Sequence, residues 1–152
     1  MEEYSKAYDA RRRDVAELLK LTPPHATTAA HLAGVAVECR LKALILTYHR
    51  IGYWEQAGAR PKDPRMGQPI VRPGHGLLAA LRVMDELYRR AKADGRVLTH
   101  LSRLMHPTGS TSADFIELRY SGTELDSTSL GEWRKSLDYV LGWLNKNEGV
   151  TT

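Results

Sequence analysis

Residues 29–46 read AAHLAGVAVECRLKALIL, and this stretch decides the fold. Apolar residues cover most of the circumference of a helix wound from it, and a helix that is hydrophobic all round lies in an interior. Its first half is alanine-rich, so neighbouring helices can approach closely. The spacing predicts a central helix from about His25 to Arg50, with Gly52 as its terminator.

On the N-terminal side, Tyr4, Tyr8, Arg11, Val15 and Leu18 recur at helical spacing and predict a helix from Glu2 to Lys20. Thr22-Pro23-Pro24 stops it, because proline lacks an amide hydrogen and restricts the residue before it. On the C-terminal side, residues 53–74 carry Gly58, Pro61, Pro64, Gly67, Pro69, Pro73 and Gly74, which predicts a long irregular connection. A third helix is expected from His75 to Ala93, where Leu77, Leu81, Met84, Tyr88 and Ala91 form one stripe. Asp94-Gly95 ends it, and a shorter helix follows from Arg96 to Met105. Residues 112–120 fit either a helical turn or a short extended segment. A last helix is expected from Leu130 to Asn147, opened by a Ser129-x-x-Glu132 capping box. No segment alternates as a strand does. The expectation is an all-α single domain over residues 1–152: an antiparallel four-helix up-and-down bundle with a long 2–3 connection and an extra short helix.

The chain has 152 residues, 42% hydrophobic and 26% charged, which suits a globular domain with its own core. Cys39 is the single cysteine, so no internal disulfide forms. No apolar run approaches the roughly 18–20 residues that span a membrane, and the charged N-terminus lacks a signal peptide's apolar core. A cytoplasmic protein is the simplest reading. The net charge of +4 is unevenly spread. Segments 49–72 and 82–103 are basic, whereas acids gather in the final third, an arrangement that fits either an ordinary solvated surface or a basic face for RNA, a nucleotide or an acidic partner. No phosphate-binding loop, dinucleotide fingerprint, nucleophile elbow or zinc pattern is present in the sequence, so no metal or cofactor is indicated.

Within the central stretch, residues 33–45, AGVAVECRLKALI, resemble the second helix of small prokaryotic HEPN proteins, whose segment is of the type AGYAVECALKALI. Two weaker features follow in the family's order. His75-Gly76-Leu77-Leu78 is similar to its His-x-Leu, and Arg119-Tyr120 to its Arg-Tyr. The resemblance implies a helical bundle that commonly dimerises through helices 2 and 3, in toxin–antitoxin pairs with minimal nucleotidyltransferases or in defence systems. It also implies metal-independent RNase chemistry where an arginine is followed, after four to six residues, by histidine. This sequence departs from that motif: Arg96 and His100 are separated by three residues, and Arg72–His75 and Arg103–His106 by two.

Metal-free RNA cleavage needs a proton-transfer group and a cation at the phosphate. Arg96, His100, Arg103 and His106, beside Thr108, Ser110 and Thr111, are the nearest catalytic set, and the bland alternative is a polar helix end capped by its own side chains. Candidate ligand-binding residues are Glu38, Arg40, Lys42, His75, Arg119 and Tyr120. Glu38 and Lys42, four apart, equally make an internal ion pair. His75 fits a structural loop bond or a ligand contact, and Arg119-Tyr120 a phosphate-and-base contact or a loop anchor. Tyr48, Tyr53 and Trp54 among Arg50, Arg60 and Arg65 fit nucleic-acid stacking or a loop packed on the bundle. Three functions follow: a HEPN-like homodimer bound to RNA, a nucleotide or a nucleotidyltransferase partner; an RNase with an unorthodox site; and a non-catalytic partner-binding module.

Overall fold

Residues 26–48 form the helix around which the rest is arranged. In the computed structural model, which describes residues 3–54 and 62–152, this helix is α2 (Ala26–Tyr48) and follows α1 (Tyr4–Lys20). Among the described residues, four more helices follow: α3 (Leu77–Arg82), α4 (Asp85–Asp94), α5 (Arg96–Met105) and α6 (Ser127–Asn147). Short 3-10 turns occupy Glu117–Tyr120 and Glu148–Thr151. The chain is all-α, and among the described residues the only extended pairing is an isolated bridge between Lys62 and Pro69. Among the described residues, no helix is long and apolar enough to cross a membrane.

Helix α2 packs against α1, α3, α5, α6 and both 3-10 turns. Val37, Leu41 and Ile45 are fully buried. Its outermost face is a half-buried apolar stripe of Leu32, Val35, Cys39, Ala43 and Leu46. Helix α1 runs antiparallel to it: the His25 amide donates to the Leu18 carbonyl at the turn, and Arg40 lies over the Tyr8 ring further along. Helix α6 runs parallel to α2, since Thr27 meets Glu124 just before α6 and Arg40 pairs with Glu148 just after it. Helices α5 and α6 are antiparallel, with His100 beside Ser136 and Arg103 facing Glu132.

Gly34 is the close-approach point. The Phe115 ring lies directly on it, and a Cβ there would collide with the ring. One turn earlier, His31 Nδ1 donates to the Phe115 carbonyl at 2.8 Å, so two positions on α2 hold this buried residue.

Three expected boundaries move. The predicted helix from His75 to Ala93 is two helices, broken at Val83 and Met84, where Met84 adopts φ −110°, ψ 85°. The groups freed by the break are taken up by the end of α2: His49 Nε2 donates to the Val83 carbonyl at 2.8 Å, and the Glu86 amide donates to the Tyr48 hydroxyl at 3.4 Å. Asp85 and Glu86 then suit the start of α4. The N-cap of α6 is Asp126, whose carboxylate accepts from the Ser129 amide at 2.7 Å, so Ser129 lies in the first turn and is not the cap. Helix α2 is closed by Arg50 at φ 55° and not by Gly52, with the Ile51 amide donating to the Leu46 carbonyl in a Schellman-type ending. The predicted helix start at Glu2 lies outside the described residues, as do Glu55, Gly58, Arg60 and Pro61.

Candidate functional site: a hydroxyl-lined cleft and a closed ionic cluster

Two groups of polar side chains emerge from the frame, and they differ in how far they are already satisfied. The first is at the C-terminal end of α5. The Pro107-Thr108-Gly109-Ser110 run turns the chain away, with Gly109 at φ +82° and its amide donating to the His106 carbonyl. The chain returns where the Phe115 amide donates to the Met105 carbonyl. Between this loop and the first turn of α6 lies a cleft of about 590 Å³, lined by Arg103, His106 and the hydroxyl-bearing residues Thr99, Ser102, Thr108, Thr111 and Ser129.

His106 Nδ1 lies 3.0 Å from the Ala113 carbonyl. A carbonyl oxygen only accepts, so Nδ1–H donates, and in the neutral ring Nε2 carries the lone pair. Arg103 reaches Glu132 only at 3.9 Å, with both side chains nearly half exposed. So loose a surface pair contributes little and leaves the guanidinium available to another anion. The arrangement supplies one cation, one potential proton acceptor and several hydroxyls that hydrogen-bond phosphate oxygens.

The other two members of the sequence-derived quartet go elsewhere. His100 Nδ1 is 2.9 Å from the Ser136 hydroxyl, and its ring stacks on Tyr139 with centroids 4.3 Å apart. Tyr139 in turn donates to Asp94 at 3.0 Å, and burial together with the Asp94 carboxylate pushes its phenol upward. His100 therefore belongs to the α5–α6 seam. Arg96 is 80% exposed, lies 3.8 Å from Asp94, and lines a separate cleft beside Tyr139 and Trp143.

The second group is closed. Glu38 and Lys42 are both buried on α2, paired at 2.6 Å, and the other Glu38 oxygen accepts from His75 Nδ1 at 3.0 Å. Lys42 Nζ lies 5.8 Å from the Tyr4 ring centroid. Arg40 is tied to Glu148 and sits 5.6 Å above the Tyr8 ring. These residues join α1, α2, the loop before α3 and the chain end. Arg119 stacks on Tyr120 at 4.7 Å, and Tyr120 is 77% exposed at the end of its 3-10 turn.

A third constellation has no local signature in the sequence. Asp63 is buried and accepts from His49 Nδ1 at 2.8 Å, from the Arg65 amide at 2.7 Å and from the Arg65 guanidinium at 3.1 Å. Arg65 and His49 hold its carboxyl well below the usual carboxylate range. A His–Asp pair suggests general-base chemistry, but His49 Nε2 is committed to the Val83 carbonyl. The pair is a structural post. Trp54 is buried, and Arg65 also lies over Tyr48 and donates to its carbonyl, so here the loop packs on the helices. Among the described residues, no group of three or more His, Cys, Asp or Glu could hold a metal ion.

No family model, curated protein or solved structure matches the chain.

Proposed function

We propose that this chain is a HEPN-like helical module that binds a phosphate-bearing ligand, RNA or a nucleotide, in the cleft at the end of α5, within a toxin–antitoxin or defence setting. The observation that carries the ligand class is the convergence of Arg103, His106 and five hydroxyl side chains on one cleft. Guanidinium and hydroxyl groups are the donors that phosphate oxygens accept. The likeness of residues 33–45 to a HEPN second helix supplies the setting.

Binding is favoured over cleavage because His106 is a single proton-transfer group, and strand cleavage calls for an acid as well as a base. The test is titration of a labelled single-stranded RNA oligonucleotide and of ATP at low and raised salt, followed by Arg103→Ala and His106→Ala. The reading expects binding that weakens with salt and is lost in Arg103→Ala; affinity unchanged by that substitution overturns it. Incubation of RNA with the protein in EDTA separates the RNase alternative, which requires cleavage that disappears in His106→Ala.

A second reading is favoured by the half-buried stripe of Leu32, Val35, Ala43 and Leu46 on α2. An apolar strip along the central helix suits pairing with a second copy or with a nucleotidyltransferase partner, and would make the chain a dimeric binding module. Sedimentation of wild type and Val35→Glu tests it, with a change of mass expected only if this strip is the interface.

A further inference from the structure

Helices α1 and α6 both pack on α2, but they make no substantial contact with each other. Between them runs a groove of about 370 Å³, floored by Ala33 and Ala36 of α2 and walled by Val15, Leu19, Leu137 and Leu141. The alanine floor matters because the distance between packed helices, ordinarily 8–10 Å, is set by the side chains at the contact and is shortest where they are small.

Its charges say what would fill it. Arg12 and Lys20 on α1 and Arg134 on α6 line the rim, against a single acid, Asp138. Lys20 is held by Glu17 at 2.8 Å, whereas neither Arg12 nor Arg134 has an ion-pair partner among the described residues. Because α1 is antiparallel and α6 parallel to α2, Arg134 falls toward the same end as Lys20. Arg12 falls toward the other end, about 12 Å from Lys20 by the rise of α1. A ligand with one anionic head reaches one end only. An elongated occupant, apolar along its middle and acidic about two turns apart, meets both.

We propose that this groove seats an amphipathic helix of a partner protein whose apolar stripe is flanked by acidic residues about two turns apart. The mode is helix-in-groove recognition, in which apolar anchors at helical spacing supply the buried contact and flanking charges fix orientation. It is independent of the phosphate cleft, which is lined by other residues.

The probe is a synthetic fluorescein-labelled helical peptide with leucines at helical spacing and glutamates flanking them, beside a second peptide with lysine at each glutamate position. Titration by fluorescence anisotropy should show the glutamate peptide binding at least about tenfold tighter than the lysine peptide, and more weakly as salt rises. Arg12→Glu with Arg134→Glu should reverse that preference. Ala16→Trp, at an exposed position lining the groove, should abolish binding of either peptide while circular dichroism confirms the fold. The proposal is overturned if the glutamate peptide does not bind, if both peptides bind alike, if neither the charge reversal nor Ala16→Trp alters binding, or if amide shifts at the groove change with protein concentration alone, which would mark a second copy as the occupant.

Discussion

The Glu38–Lys42–His75 cluster and the Arg103–His106 cleft contain the same kinds of group in opposite states. In the first, both carboxylate oxygens are engaged and acid and amine are buried. In the second, the arginine has only a long surface contact, and hydroxyl-bearing residues line a cavity. A buried charge is tolerated only with its partner in place, and so ties the fold to one arrangement. An exposed and loosely partnered charge costs the fold little and is left to meet a ligand. Richness in charged residues therefore does not tell the two regions apart; completeness of pairing does.

The largest expected effect breaks the closed cluster. Glu38→Gln strands the Lys42 ammonium, and chemical denaturation should register a loss of about 3 kcal/mol. Adding Lys42→Met should recover most of that loss, because the buried charge is then gone. If the single variant is as stable as wild type, the cluster is not closed as described. Next is Gly34→Ala. The methyl group collides with the Phe115 ring, and overpacking should cost about 1–3 kcal/mol, against roughly 1 kcal/mol gained in helix propensity. A raised melting temperature would contradict the contact.

Asp63→Asn probes the loop by pH. The folded-state carboxyl is held below its unfolded value, so its contribution to stability is full above the unfolded pKa and fades as pH falls through the folded one. Urea midpoints of wild type and Asp63→Asn should differ most near neutrality and converge in acid. A gap that widens in acid would contradict the sign. In the open cleft, Arg103→Ala should change stability by no more than about 0.5 kcal/mol while removing phosphate-ligand binding, the reverse of the closed-cluster pattern. The smallest effect is at Arg50, where a non-glycine residue sits at φ 55°. Arg50→Gly should stabilise by a few tenths to about 1 kcal/mol in a melting experiment.

Much of this architecture is legible in the residues. A helix apolar on all sides has to be central, and residues 26–48 are. Arg96–Met105 is bounded by Asp94-Gly95 and Pro107, and forms as the sequence predicts. What escapes is contact-dependent. Nothing between His75 and Ala93 announces a break, because the break is stabilised by Tyr48 and His49 from another helix. Gly34 reads as a helix weak point until Phe115, distant in sequence, is placed on it. His106 and its hydroxyl-rich loop are local and stand out, whereas the division of His100 from Arg96 depends on which face of α5 meets α6. The Asp63 post is invisible because it joins three separate segments: the end of α2 at His49, the loop at residues 63–66 and the α3–α4 junction at Val83.

The position of that post has a dynamic consequence. One imidazole bonds the loop through Asp63 and the α3–α4 junction through Val83, while its own backbone closes α2. The Arg65 and Met66 amides of the loop turn are held by the same Asp63 carboxylate that binds this ring. Residues 63–67 and 83–86 should therefore exchange their amide hydrogens with a shared opening rate, as one cooperative unit assembled from pieces that are not adjacent along the chain.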